Sequence, residues 1–394
     1  MELNINKESW APTILEQVVE WYQRDIPNSR QEEEGITAYV TANHIDTDAI
    51  SLSRFSDLAD GQKGPTITKH FEAGDVLLST RSVALRKAAQ AHVSGVTGEK
   101  LLVLRPKENS ELLAELFPFV FHSTEFWDFA LNTAAGSVNK FTSWNKIKNY
   151  EFLLPPKDQQ AKLAELLWAV NREIQTLMAA EKAARRFRDS IFKAFREKLD
   201  KNLSKKVADL LLDGPRNGFS PKTSEEGTSY TVSIGAVKDG RFTPEGNLKK
   251  ATVDQSTLEK FDVRKNDMFV VRGNGNRLLC GRAGLATETQ ENLFYPDLLI
   301  RLRFDHEQII PEFAAYQWNH PSAHYRLLQW AKSTNGISKI NGADIKNHTL
   351  IVPPISEQNE ILKEIGKIEK RVEALGEANS TAIRLEKSLI NQIF

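Results

Sequence analysis

The feature that most constrains this chain is a repetition 198 positions apart. Leu153-Leu154-Pro155-Pro156-Lys157-Asp158-Gln159-Gln160 returns without a gap as Ile351-Val352-Pro353-Pro354-Ile355-Ser356-Glu357-Gln358. The same offset pairs Leu163 with Ile361, Leu167 with Ile365, Val170 with Ile368, Ile174 with Val372 and Leu177 with Leu375. A period this long denotes duplicated domains, not the stacked short repeats of a solenoid. The 394 residues give room for two cores of ordinary size. The repeat divides the chain into globular stretches at 1–152 and 205–350, each followed by a helical stretch, at 153–204 and 351–394.

After each Pro-Pro the apolar residues are spaced alternately four and three apart. Leu163, Leu167, Val170, Ile174 and Leu177 form one seam, and Ile361, Ile365, Ile368, Val372 and Leu375 the other. A sustained a/d stripe over roughly 40 residues predicts a helix about 60 Å long that pairs with another helix. A helix packing only on its own domain would carry a wider stripe. The prolines precede each helix, where a missing N–H and a fixed φ do no harm. Polar residues interrupt both seams at matching places, Glu181 with Asn379 and Arg188 with Glu386, which costs stability but fixes register. The expected fold is mixed α/β. Two globular units are separated by two long helices that form an antiparallel coiled coil with approximate two-fold symmetry.

The globular stretches echo each other more faintly. Gly74-Asp75-Val76-Leu77-Leu78-Ser79-Thr80-Arg81 resembles Asn266-Asp267-Met268-Phe269-Val270-Val271-Arg272-Gly273, a turn feeding a strand that ends at an arginine. Gly136-Ser137-Val138-Asn139-Lys140 corresponds to Gly336-Ile337-Ser338-Lys339. A repeated frame with divergent contents is expected where two units hold different ligands. The polar loops supply the candidate contacts: Arg81, Arg86, Lys87, Asn139 and Lys140 in the first unit, and Arg216, Lys222, Arg272, Asn274, Asn276, Arg277 and Lys339 in the second. Arg and Asn read guanine and adenine edges bidentately, Lys and Arg hold phosphates, and glycine lets backbone approach a surface.

Charge is unevenly spread. The chain is neutral overall, but residues 1–152 carry a formal −6 and residues 153–204 a formal +4. An acidic first unit meets nucleic acid through a local patch, or beside a partner that supplies phosphate attraction. The single cysteine, Cys280, suits a reducing cytoplasm, and no run approaches the ~20 apolar residues of a membrane span. No phosphate-binding Gly-x-x-x-x-Gly-Lys-Ser/Thr loop is present. Both Pro-Pro pairs follow aliphatic residues, unlike the tetrapeptide of amino-methyltransferases, and the eight histidines lack metal spacing. The pattern favours a binding or organising role over catalysis.

This layout resembles the specificity subunit of Type I restriction–modification systems. The resemblance rests on two variable globular units, each followed by Pro-Pro-x-x-x-Gln and a long helix, at Pro155, Pro156 and Gln160 and at Pro353, Pro354 and Gln358. The opening Glu8-Ser9-Trp10 with Leu15, and the segment from Tyr39 to Ile45, also look like the start of a first target recognition domain. The resemblance implies two target recognition domains, each reading half of a bipartite, asymmetric site in double-stranded DNA, with the helices as spacer. It further implies two docked methyltransferase subunits that bring S-adenosylmethionine, with no cofactor on this chain, and ATP-dependent restriction subunits joining the complex. The competing expectation is a coiled-coil scaffold carrying two protein-binding modules.

Overall fold

The computed structural model describes residues 5–61, 63–137, 139–199, 201–221, 224–334 and 336–394. The candidate Lys222 lies outside them. Two compact units form, one from Met1–Glu181 with Ala374–Phe394 and one from Lys182–Glu373.

In the first unit the strands Val19–Trp21, Leu101–Pro106, Val76–Ser79 and Ala88–Gln90 lie side by side in that order, all antiparallel. A second sheet runs Ser56–Asp57, Ala38–Val40, Gly95–Gly98, Ile67–Phe71, its central pair parallel. The second unit repeats this plan. Leu299–Leu302, Met268–Val271 and Ala283–Ala286 are antiparallel neighbours, and Ser229–Val232 lies parallel to Gln290–Phe294.

The strand that the sequence echo marks is the spine of each unit, because it serves two cores at once. Side chains alternate across a strand. Val76 and Leu78 therefore enter one cluster and Leu77 another, while Met268 and Val270 enter one and Phe269 and Val271 another. The aspartate that opens each spine is fixed by an arginine from the neighbouring strand. Arg105 donates to both Asp75 oxygens at 2.9 and 2.7 Å, and Arg303 to both Asp267 oxygens at 2.7 and 2.8 Å. Each aspartate also accepts a backbone N–H from three residues earlier, Glu72 or Arg264. Such forked, charge-assisted pairs are among the stronger hydrogen bonds a protein makes.

The two Pro-Pro motifs lead into helices Lys157–Lys198 and Ile355–Ile393. In the first unit Ala164 and Leu167 pack with Leu389, Ile390, Ile393 and Phe394, so the beginning of one long helix meets the end of the other. In the second unit the roles reverse, with Ile361 and Ile365 in one cluster with Phe192. Of the seam residues, Leu167, Ile174, Ile361, Ile365 and Val372 are buried, whereas Leu163, Val170, Leu177, Ile368 and Leu375 are half-buried. Ala164 and Asn171 take the buried places beside Leu163 and Val170.

Each motif glutamine is a clamp between helix and domain. Gln160 Nε2 donates to Glu111 O at 2.9 Å and Pro155 O at 2.8 Å, and its Oε1 accepts from Leu113 N at 2.8 Å. Gln358 repeats this with Gln308 O at 3.1 Å, Pro353 O at 2.8 Å and Ile310 N at 2.8 Å. Both are buried and every polar side-chain atom has a partner, which suits an amide in a dry interior.

Candidate nucleic-acid interface

The spine strand of each unit runs out into a loop, and in both units that loop is joined by the later echoed segment, at Lys140 and Phe141 in the first and at Ile337–Lys339 in the second. In the second unit Gly273–Asn274 pairs antiparallel with Ile337–Lys339, which pairs in turn with Lys332–Thr334. The register sets Gly273 opposite Lys339 and Lys339 opposite Lys332. A Cβ on Gly273 would stand 3.0 Å from Lys339 Cγ, so the glycine is what lets the ribbon close around that side chain. Arg272 and Lys339, distant in sequence, thereby come together, since Ile340 N donates to Arg272 O at 2.9 Å.

Asn274 and Asn276 build the loop. Asn274 Oδ1 accepts from Asn276 N at 2.8 Å, and Asn276 Oδ1 accepts from Leu278 N at 3.0 Å, two Asx turns in succession. Arg277 Nη2 donates to Leu328 O at 3.0 Å, and the His324 ring meets Cys280 O at 2.7 Å, fastening the loop to the helix Pro321–Trp330. Burial pushes the Cys280 thiol up, away from reactivity. The Arg216 loop joins the same region through residues 295–297. Phe219 N donates to Tyr295 O, Ser220 Oγ to Asp297 Oδ1 at 2.6 Å, and Arg272 Nη1 to Asp297 O at 3.4 Å. Gly218 permits this approach, because a Cβ there would meet Pro296 O at 2.2 Å. Arg216 itself turns toward Lys260 O at 3.2 Å.

The first unit uses the same frame with other side chains. Thr142 N donates to Thr80 O at 2.9 Å, and Arg81 is bridged to Phe141. The Arg81 guanidinium lies 5.3 Å from the centre of the Phe141 ring, with Lys146 Nζ at 5.5 Å. Arg81, Asn139 and Lys140 are exposed. Arg86 and Lys87 are committed inward: Arg86 pairs with Asp48 at 2.8 Å, and Lys87 Nζ donates to Ala42 O at 2.7 Å. Lys140 Nζ reaches Leu131 O at 3.3 Å.

Sequence reading missed Lys332, Phe141 and Lys146. The signal for Lys332 was present in the Asn335-Gly336 dipeptide, a hairpin cue that would have folded Lys332 back beside Lys339. Phe141 gave none, since its role is to support an arginine sixty positions away. Among the described residues no group of three or more His, Cys, Asp or Glu could hold a metal, and no helix is long and apolar enough to cross a membrane.

No family model matches the chain. Over 155 residues it is 31% identical to the specificity subunit of the Type I restriction enzyme EcoKI of Escherichia coli (strain K12). Over 178 residues it is 25% identical to the specificity subunit of the Type I restriction enzyme StySPI of Salmonella potsdam. These stretches cover 39% and 45% of this chain, but only 33% and 38% of the relatives' own lengths. The fold is shared more widely. A chain from a structure describing complex assembly and conformational transition of the type I R-M system superposes with a TM-score of 0.53 at 16% identity, covering 98% of this chain and 97% of that one. The S subunit of a Type I restriction–modification system from M. genitalium does so with a TM-score of 0.52 at 11% identity, covering 100% and 98%. The chain is thus similar in sequence to Type I specificity subunits and has the fold of S subunits.

Proposed function

We propose that this chain is the DNA-specificity subunit of a cytoplasmic Type I restriction–modification assembly, itself without catalytic activity. Each unit reads one half of a bipartite, asymmetric site in double-stranded DNA, and the long helices act as the spacer. The observation that supports this best is the recurrence, in one frame, of a cationic loop with different contents. Arg81 over Phe141 with Lys140 stands in one unit, and Arg272, Lys339 and Lys332 in the other. Two ribbons built alike but furnished differently suit two different half-sites, and linked binding multiplies two modest affinities. Two methyltransferase subunits dock on the chain and bring S-adenosylmethionine to an adenine in each half, and ATP-dependent restriction subunits join them. The first long helix offers a docking face at exposed Arg186 and Phe187, the latter 59% exposed.

The test is to map modified adenines across the host genome with the gene intact, deleted, and carrying Arg272→Ala. Deletion is expected to erase one split, asymmetric methylated motif. Arg272→Ala is expected to relax or weaken recognition of one half only, by about 10–100-fold. Unchanged methylation on deletion, or equal loss at both halves, would overturn the reading.

A further inference from the structure

The inward-turned arginines of this chain are of two kinds. Arg105, Arg188 and Arg303 are each gripped by a carboxylate, Asp75, Glu369 and Asp267. Arg196, near the end of the first long helix, is half-buried, and its Nη1 donates to the neutral Ser322 Oγ at 2.6 Å. Ser322 lies at the start of the helix Pro321–Trp330, and exposed Arg326 stands four residues on, hence on the same face one turn away. Phe192, one turn before Arg196, packs on the His320 ring at 5.6 Å and fixes how the two helices meet. Two guanidiniums are thereby brought close, with no carboxylate paired to either among the described residues.

Such a pair costs free energy, because burial removes water and like charges repel. Burial first, and Arg326 after it, push the Arg196 guanidinium below its ordinary value. Burial, and then the same two arginines, push the His348 ring down to about 4. A third guanidinium, that of Arg282, joins them at the start of the helix, where it donates to Asn319 O at 2.9 Å. The nearby carboxylates are engaged elsewhere, Asp189 with Arg188 and Glu197 with Lys193. The first unit does the opposite at this place. Counted from the capping residues Ser123 and His320, its helix Thr124–Thr133 exposes Glu125 and Asp128 where the second unit carries Ser322 and Tyr325. One copy of the frame concentrates cation and omits acid, which suits an anion.

Resting on the DNA-reading function above, we propose that Arg196 and Arg326 clamp one backbone phosphate of the DNA duplex, beside the half-site that the second unit reads. Their position favours DNA over an acidic protein surface. The helix carrying Arg326 runs within two residues into Lys332, which stands opposite Lys339 on the sheet of the recognition loop. Arg277 and His324 fasten that loop to the same helix. Cations thus recur from the helix to the loop, and a duplex, with one charge per ~1.7 Å of axis, is the anion that can meet them together. The guanidinium fork matches phosphate oxygens, and exposed Tyr325 adds a hydroxyl of the kind that bonds them. A phosphate held there carries no sequence information, but through the tied helix it sets the register of the loop that does.

The experiment uses the assembled complex of the full chain with its methyltransferase subunits and measures duplex affinity as a function of salt. The probes are the split site found by methylation mapping and an unrelated duplex. Arg196→Gln/Arg326→Gln removes both charges and keeps hydrogen-bonding side chains. It is expected to lower the slope of log affinity against log salt by about one. At about 0.1 M salt it should weaken binding about five- to tenfold, equally for both duplexes. Arg196→Lys/Arg326→Lys, which keeps the charge, should retain the slope. A neutral methylphosphonate is then placed at successive linkages of the half read by the second unit. At one linkage it should weaken the unaltered complex and leave the glutamine variant indifferent. The proposal is overturned if the glutamine variant keeps the full slope, or if no linkage separates it from the unaltered complex. It is equally overturned if the loss is confined to the split site, which would make the arginines base readers. Loss of methyltransferase docking in place of DNA affinity would also overturn it, and would make the occupant an acidic protein surface. An unaltered complex that binds its split site no better than the unrelated duplex would overturn the DNA-reading function, and the clamp's place beside a half-site with it.

Discussion

Each unit places one polar pair where the long helices meet, buried in the first unit and half-buried in the second, and the two pairs occupy the same positions of the repeat. In the second unit Arg188 Nη1 stands 2.5 Å from Glu369 Oε1, and the Tyr316 hydroxyl donates to the same carboxylate. In the first, Asn171 Nδ2 donates to Glu386 Oε1 at 2.9 Å. Adding 198 turns Asn171 into Glu369 and Arg188 into Glu386. The acid has therefore changed sides and the cation has become an amide. Burial would push Glu369 up, but hydrogen bonds from Tyr316 and Arg188 outweigh it and hold the carboxyl below its usual range. Burial of Glu386, against only the Asn171 amide, pushes its carboxyl up to about 7. The duplication conserves the site of a polar crossing and leaves its charge free to vary. The two ends of one frame therefore respond differently to mutation and pH.

The largest effect should come from breaking the charged crossing. Arg188→Ala leaves Glu369 half-buried without its cation, which should cost the second unit about 2–4 kcal/mol in urea unfolding near neutral pH. Arg188→Met with Glu369→Leu should recover most of that, because the pair repays little beyond its own desolvation. A loss confined to the first unit, read by hydrogen exchange in Thr124–Thr133 against Pro311–Asn319, would show that the crossings are not independent.

The glutamine clamps test the opposite proposition, that some of the frame is invariant. Gln160→Ala and Gln358→Ala each strand a backbone N–H and backbone carbonyls in a buried place, worth about 2–3 kcal/mol. Equal destabilisation of the two units is expected. A clearly unequal pair would mean that the repeat kept the motif but not its role.

These particulars show what a sequence discloses. The Pro-Pro-x-x-x-Gln repeat and the helices after it were legible because their signal is local: a stop, a period and a length. The function of Gln160 was not, since its partners Glu111 and Leu113 belong to a turn almost fifty residues earlier. Of the ten expected seam residues, Leu167, Ile174, Ile361, Ile365 and Val372 are buried and the other five are half-buried. Asn171 rather than Val170 is fully buried because a polar crossing occupies that point. In the globular units the spine strands could be found from their apolar runs, but the Asp75–Arg105 and Asp267–Arg303 grips join residues 30 and 36 positions apart. The loop residues were identified by type, and the structure divides them by task. Asn274 and Asn276 shape the loop, Arg86 and Lys87 turn inward, and Arg81 and Lys339 are exposed.

The smallest expected effect is also the most specific, because it reverses sign between the crossings. Glu386 is protonated near pH 5 in the folded chain, whereas a carboxyl of ordinary pKa 4.5 ionises in the unfolded one. Its contribution is fully present below the unfolded value and is lost as pH rises through about 7. Glu369 runs the other way: its contribution is present above the unfolded value and is lost as pH falls through the lowered one. Glu386→Gln keeps an acceptor for Asn171 and cannot ionise. It should stabilise the first unit by about 1–2 kcal/mol at pH 8 and leave it nearly unchanged at about pH 4, below the unfolded value. Exchange in Thr124–Thr133, whose first N–H is held by Asn391 at 2.8 Å on the same long helix, reports this directly. A gain of equal size at both pH values would mean that glutamine merely packs better there. The contrast between the crossings would then be one of shape and not of charge.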